Sequence, residues 1–271
     1  MSLKIQIASD LHAEFRDHKD KYACIKPSAD ILALLGDICC VGSYDDFRLF
    51  QQFVNNLIPK YKMIIIVPGN HEYYFNPPVQ SQKPTKLNTY STCDKKLAKY
   101  CKTSEKLVLL NNKSILLTVK RKKYLIIGSV LWSHIPKEQH RKFQQMMSCY
   151  RSVYVKSSTG EIRRITPHET TKLFNRNVRF IAKELNKAKK LKAKAVVFTH
   201  HKPYVSNSRD EYSAAYESDV SKLFAKPLIL WAYGHTHIAD DRVISGVRFV
   251  SNPKGYPYQK TKFNPKFTIT I

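Results

Sequence analysis

The sequence predicts an α/β protein. Apolar runs rich in β-branched residues recur along the chain, stretches with helical spacing lie between them, and five of the runs end in the same kind of polar segment. Alternating strand and helix signals are the pattern of sheets covered by helices. The five ends read Asp10-Leu11-His12 after KIQIAS, Gly36-Asp37 after DILALL, Gly69-Asn70-His71-Glu72 after MIIIVP, His200 after AVVFT, and Gly234-His235-Thr236-His237 after LILWAY. Open α/β sheets place their ligands at the carboxyl ends of parallel strands, so five such ends point to one site.

Strands are expected in all five runs. After the second, Ser43 with Asp46 predicts a capped helix that carries Phe50, Phe53, Val54 and Leu57 at helical spacing and ends at Pro59. Residues 76–92 are polar and punctuated by proline, which predicts a loop insertion beside the third segment. A strand is expected at 123–131. Thr166, Pro167 and Glu169 match a capping box with proline at the first helical position, and they open a helix over 167–191. Its apolar stripe is Phe174, Val178, Ile181, Leu185 and Ala188. Lys172, Arg176, Arg179, Lys183, Lys187 and Lys190 fall on the opposite face. Strands are expected again at 242–251 and 266–271.

A chain of 271 residues with 43% hydrophobic content buries a full core, and one domain spanning 1–271 is expected. No apolar run reaches the length of a membrane span and the N-terminus opens directly into a strand, so the chain reads as soluble and cytoplasmic. The six cysteines, with Cys39 and Cys40 adjacent, do not resemble a disulfide framework, and reduced thiols are expected. Cys93 and Cys101 lack a second ligand pair for zinc. The net charge of +25, from 46 basic and 21 acidic residues, favours anionic substrates or a polyanion such as nucleic acid.

Imidazole, carboxylate and an amide oxygen are ligands for borderline-to-hard divalent ions, and the lack of cysteine in the five segments argues against a closed structural zinc site. Two such ions about 3.5–4 Å apart clamp a phosphoryl group and stabilise charge on the attacking and leaving oxygens. Glycines at 36, 69 and 234 suit a backbone that turns sharply at a strand end.

In this order the segments, with the flanking SDLHAEF, VPGNHEYY, THHKP, YGHTH and SNPKGYP, resemble the calcineurin-like metallophosphoesterase superfamily, from Lys4 to about Tyr256. They resemble a branch of small bacterial and viral phosphoesterases more than the Ser/Thr protein phosphatases. Those phosphatases carry Gly-Asp-Xaa-Val-Asp-Arg-Gly, whereas this chain reads Gly36-Asp37-Ile38-Cys39-Cys40-Val41-Gly42 and lacks the phosphate-binding arginine. The resemblance implies a four-layer α/β/β/α sandwich of two mixed sheets flanked by helices. It also implies a pair of metal ions, Mn, Fe or Zn with Mn favoured, and attack on phosphorus by a hydroxide held between them.

Carried over residue by residue, the resemblance puts Asp10, His12 and His237 on one ion, Asn70, His200 and His235 on the other, and Asp37 between the two. His71 becomes a proton donor to the leaving oxygen, a role that suits an imidazolium free of metal. Glu72 is expected to orient its neighbours. Substrate contacts are expected from His201, from Tyr73 with Tyr74 and Phe75, and from Lys254 beside Asn252. Trp132 and His134 are candidates for a pocket wall. A nucleotide or nucleic-acid phosphodiester is the expected substrate; the alternatives are a small phosphomonoester and a non-catalytic scaffold of the same fold.

Overall fold

The apolar runs pair into two large sheets. The computed structural model describes residues 2–15, 24–76, 82–207 and 210–271. In the first sheet β1 (Lys4–Ala8), β2 (Ile31–Leu35), β3 (Met63–Val67) and β4 (Leu107–Leu109) are parallel neighbours. The last strand, β13 (Thr268–Thr270), closes the β1 edge in the antiparallel sense. In the second sheet β6 (Lys122–Ser129), β9 (Lys194–Thr199), β10 (Leu228–Tyr233) and β12 (Val247–Ser251) run parallel. Antiparallel β5 (Lys113–Val119) and β11 (Asp240–Ile244) form its two edges. A ribbon of β7 (Tyr154–Lys156) and β8 (Ile162–Arg164) stands apart.

Strand residues alternate between two apolar layers, which explains why the central runs are apolar throughout. Ile5, Ile7, Ala33, Leu35, Ile65 and Val67 of the first sheet meet Ile126, Val196, Phe198, Leu230 and Val250 of the second. The opposite faces pack on helices. Leu32, Leu34, Ile64 and Ile66 share a cluster with Phe50, Phe53 and Val54 of α1 (Tyr44–Leu57) and with Leu97 of α2 (Tyr90–Cys101). Across the molecule, Leu125, Ile127 and Val197 belong with Ile181 and Leu185 of a 24-residue helix, Pro167–Lys190. Burying one such side chain contributes about 1.5–3 kcal/mol. The result is the expected four-layer α/β/β/α arrangement. Short helices α3 (His140–Met146) and α4 (Cys149–Ser152) precede the long one, α5.

Both predicted caps form. Ser43 accepts from the backbone N of Asp46 at 3.1 Å, and Thr166 and Glu169 make the reciprocal capping box ahead of Pro167. All six basic residues of the α5 stripe are exposed. The single strand expected at 242–251 is instead the hairpin β11–β12, because Ser245 (φ 52°) and Gly246 (φ 77°) both turn into the left-handed region, as a tight two-residue hairpin loop requires. Of the loop expected at 76–92, residues 77–81 lie outside the described residues. Its later part holds a single 3₁₀ turn, Lys86–Asn88, and the first residues of α2. All six cysteines are free and buried, and no helix among the described residues is long and apolar enough to cross a membrane.

Candidate active site

The five polar segments converge because β1, β2 and β3 of one sheet and β9 and β10 of the other end at the same side of the inter-sheet core. Cross-links continue the sheet pairing past the strand ends. Asp10 N donates to Gly36 O at 3.0 Å, His12 N to Asp37 O at 3.0 Å, and Gly234 N to His200 O at 2.9 Å. Asp10, His12, Asp37, His235 and His237 all have φ between 46° and 66°. This left-handed conformation costs a residue with a Cβ roughly 1–2 kcal/mol. Five instances at one place mark backbone held against its preference, as happens where side-chain direction is selected for function. A Cβ on Gly69 would collide with Asp37 Oδ1, and one on Gly234 would lie 2.6 Å from Asp10 Oδ2, so both turns admit the carboxylates only because they are glycine.

Two sets of acceptor atoms face inward. In the first, His12 Nε2 and His237 Nε2 are 3.1 Å apart, and Asp10 Oδ1 is 3.3 Å from His237 Nε2. The outer nitrogens of both rings are committed: His12 Nδ1 faces Glu14 Oε1 at 3.4 Å and His237 Nδ1 faces Gln259 Oε1 at 2.6 Å, two oxygens that accept. Each neutral imidazole therefore carries its proton outside and turns a lone pair inward. In the second set, His200 Nε2 lies 2.9 Å from Asn70 Oδ1, 3.1 Å from His235 Nδ1 and 3.3 Å from Asp37 Oδ1. His200 Nδ1 is spent on Leu35 O at 3.0 Å, and Asn70 Nδ2 on the Tyr74 hydroxyl at 2.9 Å.

Lone pairs packed against lone pairs in a buried place repel unless a proton or a metal ion lies among them. These donor sets fit divalent ions in chemistry as well as direction, being imidazole nitrogens, carboxylate and amide oxygens with outer partners that fix each ring. The ligand atoms of Asp10, His12 and His237 lie within 4.8 Å of one another, as do those of Asp37, His200 and His235. Asp37 spans the two sets, with Oδ1 toward His200 and Oδ2 toward His12 at 3.9 Å. Burial opposes ionisation of Asp37, yet the imidazoles of His200 and His71 hold its carboxyl well below the usual range. Burial likewise disfavours a charged His200, but the Asp37 carboxylate outweighs it and pushes that ring up to about 9. The same negative field would hold a metal ion.

His71 stands beside these sets with its nitrogens turned elsewhere. Its Nδ1 donates to Glu14 Oε1 at 2.9 Å, its ring stacks on Tyr74 at 4.2 Å, and its Nε2 faces the cleft, 3.3 Å from the Tyr256 hydroxyl and 3.9 Å from Asp37 Oδ2. Burial lowers its pKa, but the charges of Asp37 and Glu14 more than offset this and raise it above the ordinary value. Burial would raise the Glu14 carboxyl, whereas hydrogen bonds from His12 and His71 bring it down to about 2. His12, Glu14 and His71 also bring ligand atoms within 4.8 Å of one another, but there both rings offer Nδ1–H to the carboxylate, which is a hydrogen-bonded pair of contacts and not a lone-pair cage.

Glu72 is fully buried and accepts from the backbone N of Asp37 (2.9 Å), Ile38 (2.7 Å) and Gly69 (2.5 Å), so it ties the second and third strand ends together. Burial and the nearby Asp37 charge push its carboxyl up to about 7. The cleft in front of both sets encloses about 250 Å³ and is lined by Asn70, His71, His235, His237, Tyr74 and Tyr256 among others.

Of the expected substrate contacts, Tyr74 lines the cleft, whereas His201, Tyr73 and Lys254 are engaged with other partners. His201 is buried behind His235, 4.1 Å ring to ring, and burial with the neighbouring His200 charge holds it down to about 3, a neutral packing residue. Tyr73 is fully buried, stacked on Tyr90 at 4.1 Å with its hydroxyl on Asp94 at 2.8 Å; its neighbour Tyr74 is the one that reaches the cleft. The Lys254 ammonium sits over the Phe263 ring, and Asn252 clamps the chain by donating to Ile7 O and Asn264 O. Trp132 is buried and His134 opens on a separate cavity. Glu14, Tyr256 and Gln259 carried no sequence expectation, nor did Met147, Ser148, Cys149 and Tyr216, which also line the cleft. Only Glu14 had a local signal, a carboxylate two positions beyond His12.

Fold and donor sets define a metal-dependent hydrolase, and comparison with known proteins agrees. The family model described as calcineurin-like phosphoesterase matches residues 3–239. The chain belongs to that family and is a phosphoester hydrolase. Uncharacterized protein L509 of Acanthamoeba polyphaga mimivirus is 30% identical over 289 residues, covering 98% of this chain and 96% of that protein. Among solved structures, the phosphopantetheinyl hydrolase PptH of Mycobacterium tuberculosis superposes with a TM-score of 0.66 at 17% identity, over 94% of this chain and 90% of the other. A putative 5'-nucleotidase from Staphylococcus aureus gives a TM-score of 0.50 at 11% identity, over 93% of this chain and 48% of that one. Likeness at those identities speaks to the fold.

Proposed function

We propose that the chain hydrolyses a phosphodiester of the nucleotide class with two divalent ions, Mn²⁺ foremost. Asp10, His12 and His237 would hold one ion and Asn70, His200 and His235 the other, with Asp37 shared between the two sets. The observation that carries this is the pair of inward-facing acceptor sets turned to opposite oxygens of one carboxylate. When bound, the ions polarise the phosphoryl oxygens and lower the pKa of water at the site. The residues supply the rest. Asp37 and Glu72 fix the spacing of the strand ends, and Gln259 and Leu35 O hold the outer nitrogens of His237 and His200. His71, clear of both sets, presents Nε2 to the leaving oxygen and gives it a proton. The net charge of +25 and an open cleft support a polyanionic diester over a small monoester.

The direct test is protein stripped of metal and reloaded with Mn²⁺, assayed on bis(4-nitrophenyl) phosphate and on 4-nitrophenyl phosphate. Diester turnover should exceed monoester turnover. The reverse order would replace the diester reading by a monoesterase. Full metal loading with no turnover of either would make the fold a scaffold.

Glu14 supplies a further expectation. Its carboxylate orients both His12 and His71, and partners of that kind are worth about 10–100-fold in activity. Glu14→Gln should lower diester turnover by that factor. In a His71→Asn background the same change should add little, because residues that act as a unit are not additive. A full additive loss in the double variant would mean that Glu14 acts through His12 or through stability instead.

A further inference from the structure

We infer that the cleft continues into a nucleobase subsite in which Phe15 and Tyr258 stack on the base of the phosphoester. This rests on the hydrolytic reading above and narrows its substrate to nucleotidyl esters. Beside the cleft runs a groove of about 660 Å³ whose walls include Phe15, Asn76, Ser152 and Tyr258. It shares His71, Tyr74, Ser148 and Tyr256 with the cleft, so a phosphate held at His71 places its next group in the groove.

Its aromatic side chains are ordered relative to one another. The Tyr256 ring lies 4.4 Å from that of His12. Tyr258 stacks on Tyr256 at 5.7 Å and 22°, and Phe15 meets Tyr256 edge-on at 5.7 Å and 71°. The stack that begins over His12 thus runs out to Tyr258, which is 81% exposed, and Phe15, the other ring packed on Tyr256, is 50% exposed. Single exposed hydrophobics are common on protein surfaces. Here two of them line one groove beside the cleft and both pack on a third ring, which is how platforms for planar ligands are built. The remaining wall argues for a base in place of an alkyl chain. Asn76, Ser148 and Ser152 offer hydrogen-bonding groups that the edge of a base satisfies and that a hydrocarbon would leave unpaired.

The test compares thymidine 5'-(4-nitrophenyl phosphate) with methyl 4-nitrophenyl phosphate on the Mn²⁺-loaded protein. Both release the same leaving group, so the ratio of kcat/KM isolates the nucleoside. Stacking on an aromatic platform is worth about 10–100-fold per base, and the ratio should fall in that range. Phe15→Ala and Tyr258→Ala should each cut kcat/KM for the nucleotidyl ester about tenfold more than for the methyl ester, while Tyr258→Phe should keep the preference. A ratio near one in the native protein would overturn the subsite, as would alanine variants that affect both esters equally. Equal preference for octyl 4-nitrophenyl phosphate would overturn the choice of a base and make the groove an alkyl subsite. Absence of turnover on the methyl ester as well would instead strike the hydrolytic reading.

Discussion

Asp37→Ala is expected to remove metal binding and hydrolysis together. Asp37 faces both acceptor sets, Oδ1 at 3.3 Å from His200 Nε2 and Oδ2 at 3.9 Å from His12 Nε2. It also accepts from the backbone N of His71 at 2.8 Å, so its loss loosens the turn that carries Asn70 and His71. Removing one electrostatic stabiliser from an active site costs about 10²–10³-fold in rate. On the proposed assignment a single change would remove a shared ligand, the spacing between two ions and the anchor of the proton donor, and the loss should exceed that range. His12→Ala, which touches one set, should lower one ion's occupancy more than the other's. Metal analysis of the purified variants beside diester turnover decides the matter. Two metals per chain and near-native turnover in Asp37→Ala would refute the bridging assignment.

The site was legible to the extent that its residues are fixed by where a strand ends. Asp10, Asp37, Asn70, His200 and His235 each lie within three residues of a strand terminus, so one-dimensional spacing placed them in three dimensions. Glu14 was not legible because its meaning depends on His71, 57 positions away, and Tyr256 reaches the same ring from 185 positions away. A partner found only through the fold leaves no spacing to read. Tyr73 and Tyr74 show the complementary limit. Adjacent in sequence, they point to opposite sides of a single 3₁₀ turn, one into the core against Tyr90 and one over the cleft against His71, and composition alone does not separate them.

The fold follows the same division. Helices α1 and α5 were readable because capping residues and a 3.6-residue apolar stripe are both local. The 242–251 segment was misread because its apolar pattern runs through the turn, and only the Ser245-Gly246 pair marks the reversal. β5 escaped because it is a half-exposed edge strand, with alternating residues outside the core and no continuous apolar run.

His71→Asn should separate proton donation from metal binding. His71 Nε2 is the imidazole nitrogen that faces the cleft without joining either acceptor set, and its ring is held from behind by Glu14 and from one face by Tyr74. Asparagine keeps a polar side chain at the site but has no proton to give at neutral pH. Metal content and thermal stability should therefore stay close to native. A general acid contributes about 10²–10⁴-fold, and most where the leaving oxygen is strongly basic. Turnover of alkyl phosphodiesters should fall by that factor, whereas a 4-nitrophenyl ester, whose leaving group departs without a proton, should lose distinctly less. The comparison is made within one protein and between two leaving groups, so a general loss of folded protein cancels. An equal loss on both would leave His71 with a positioning role on the phosphate, and a loss of bound metal would make it a ligand.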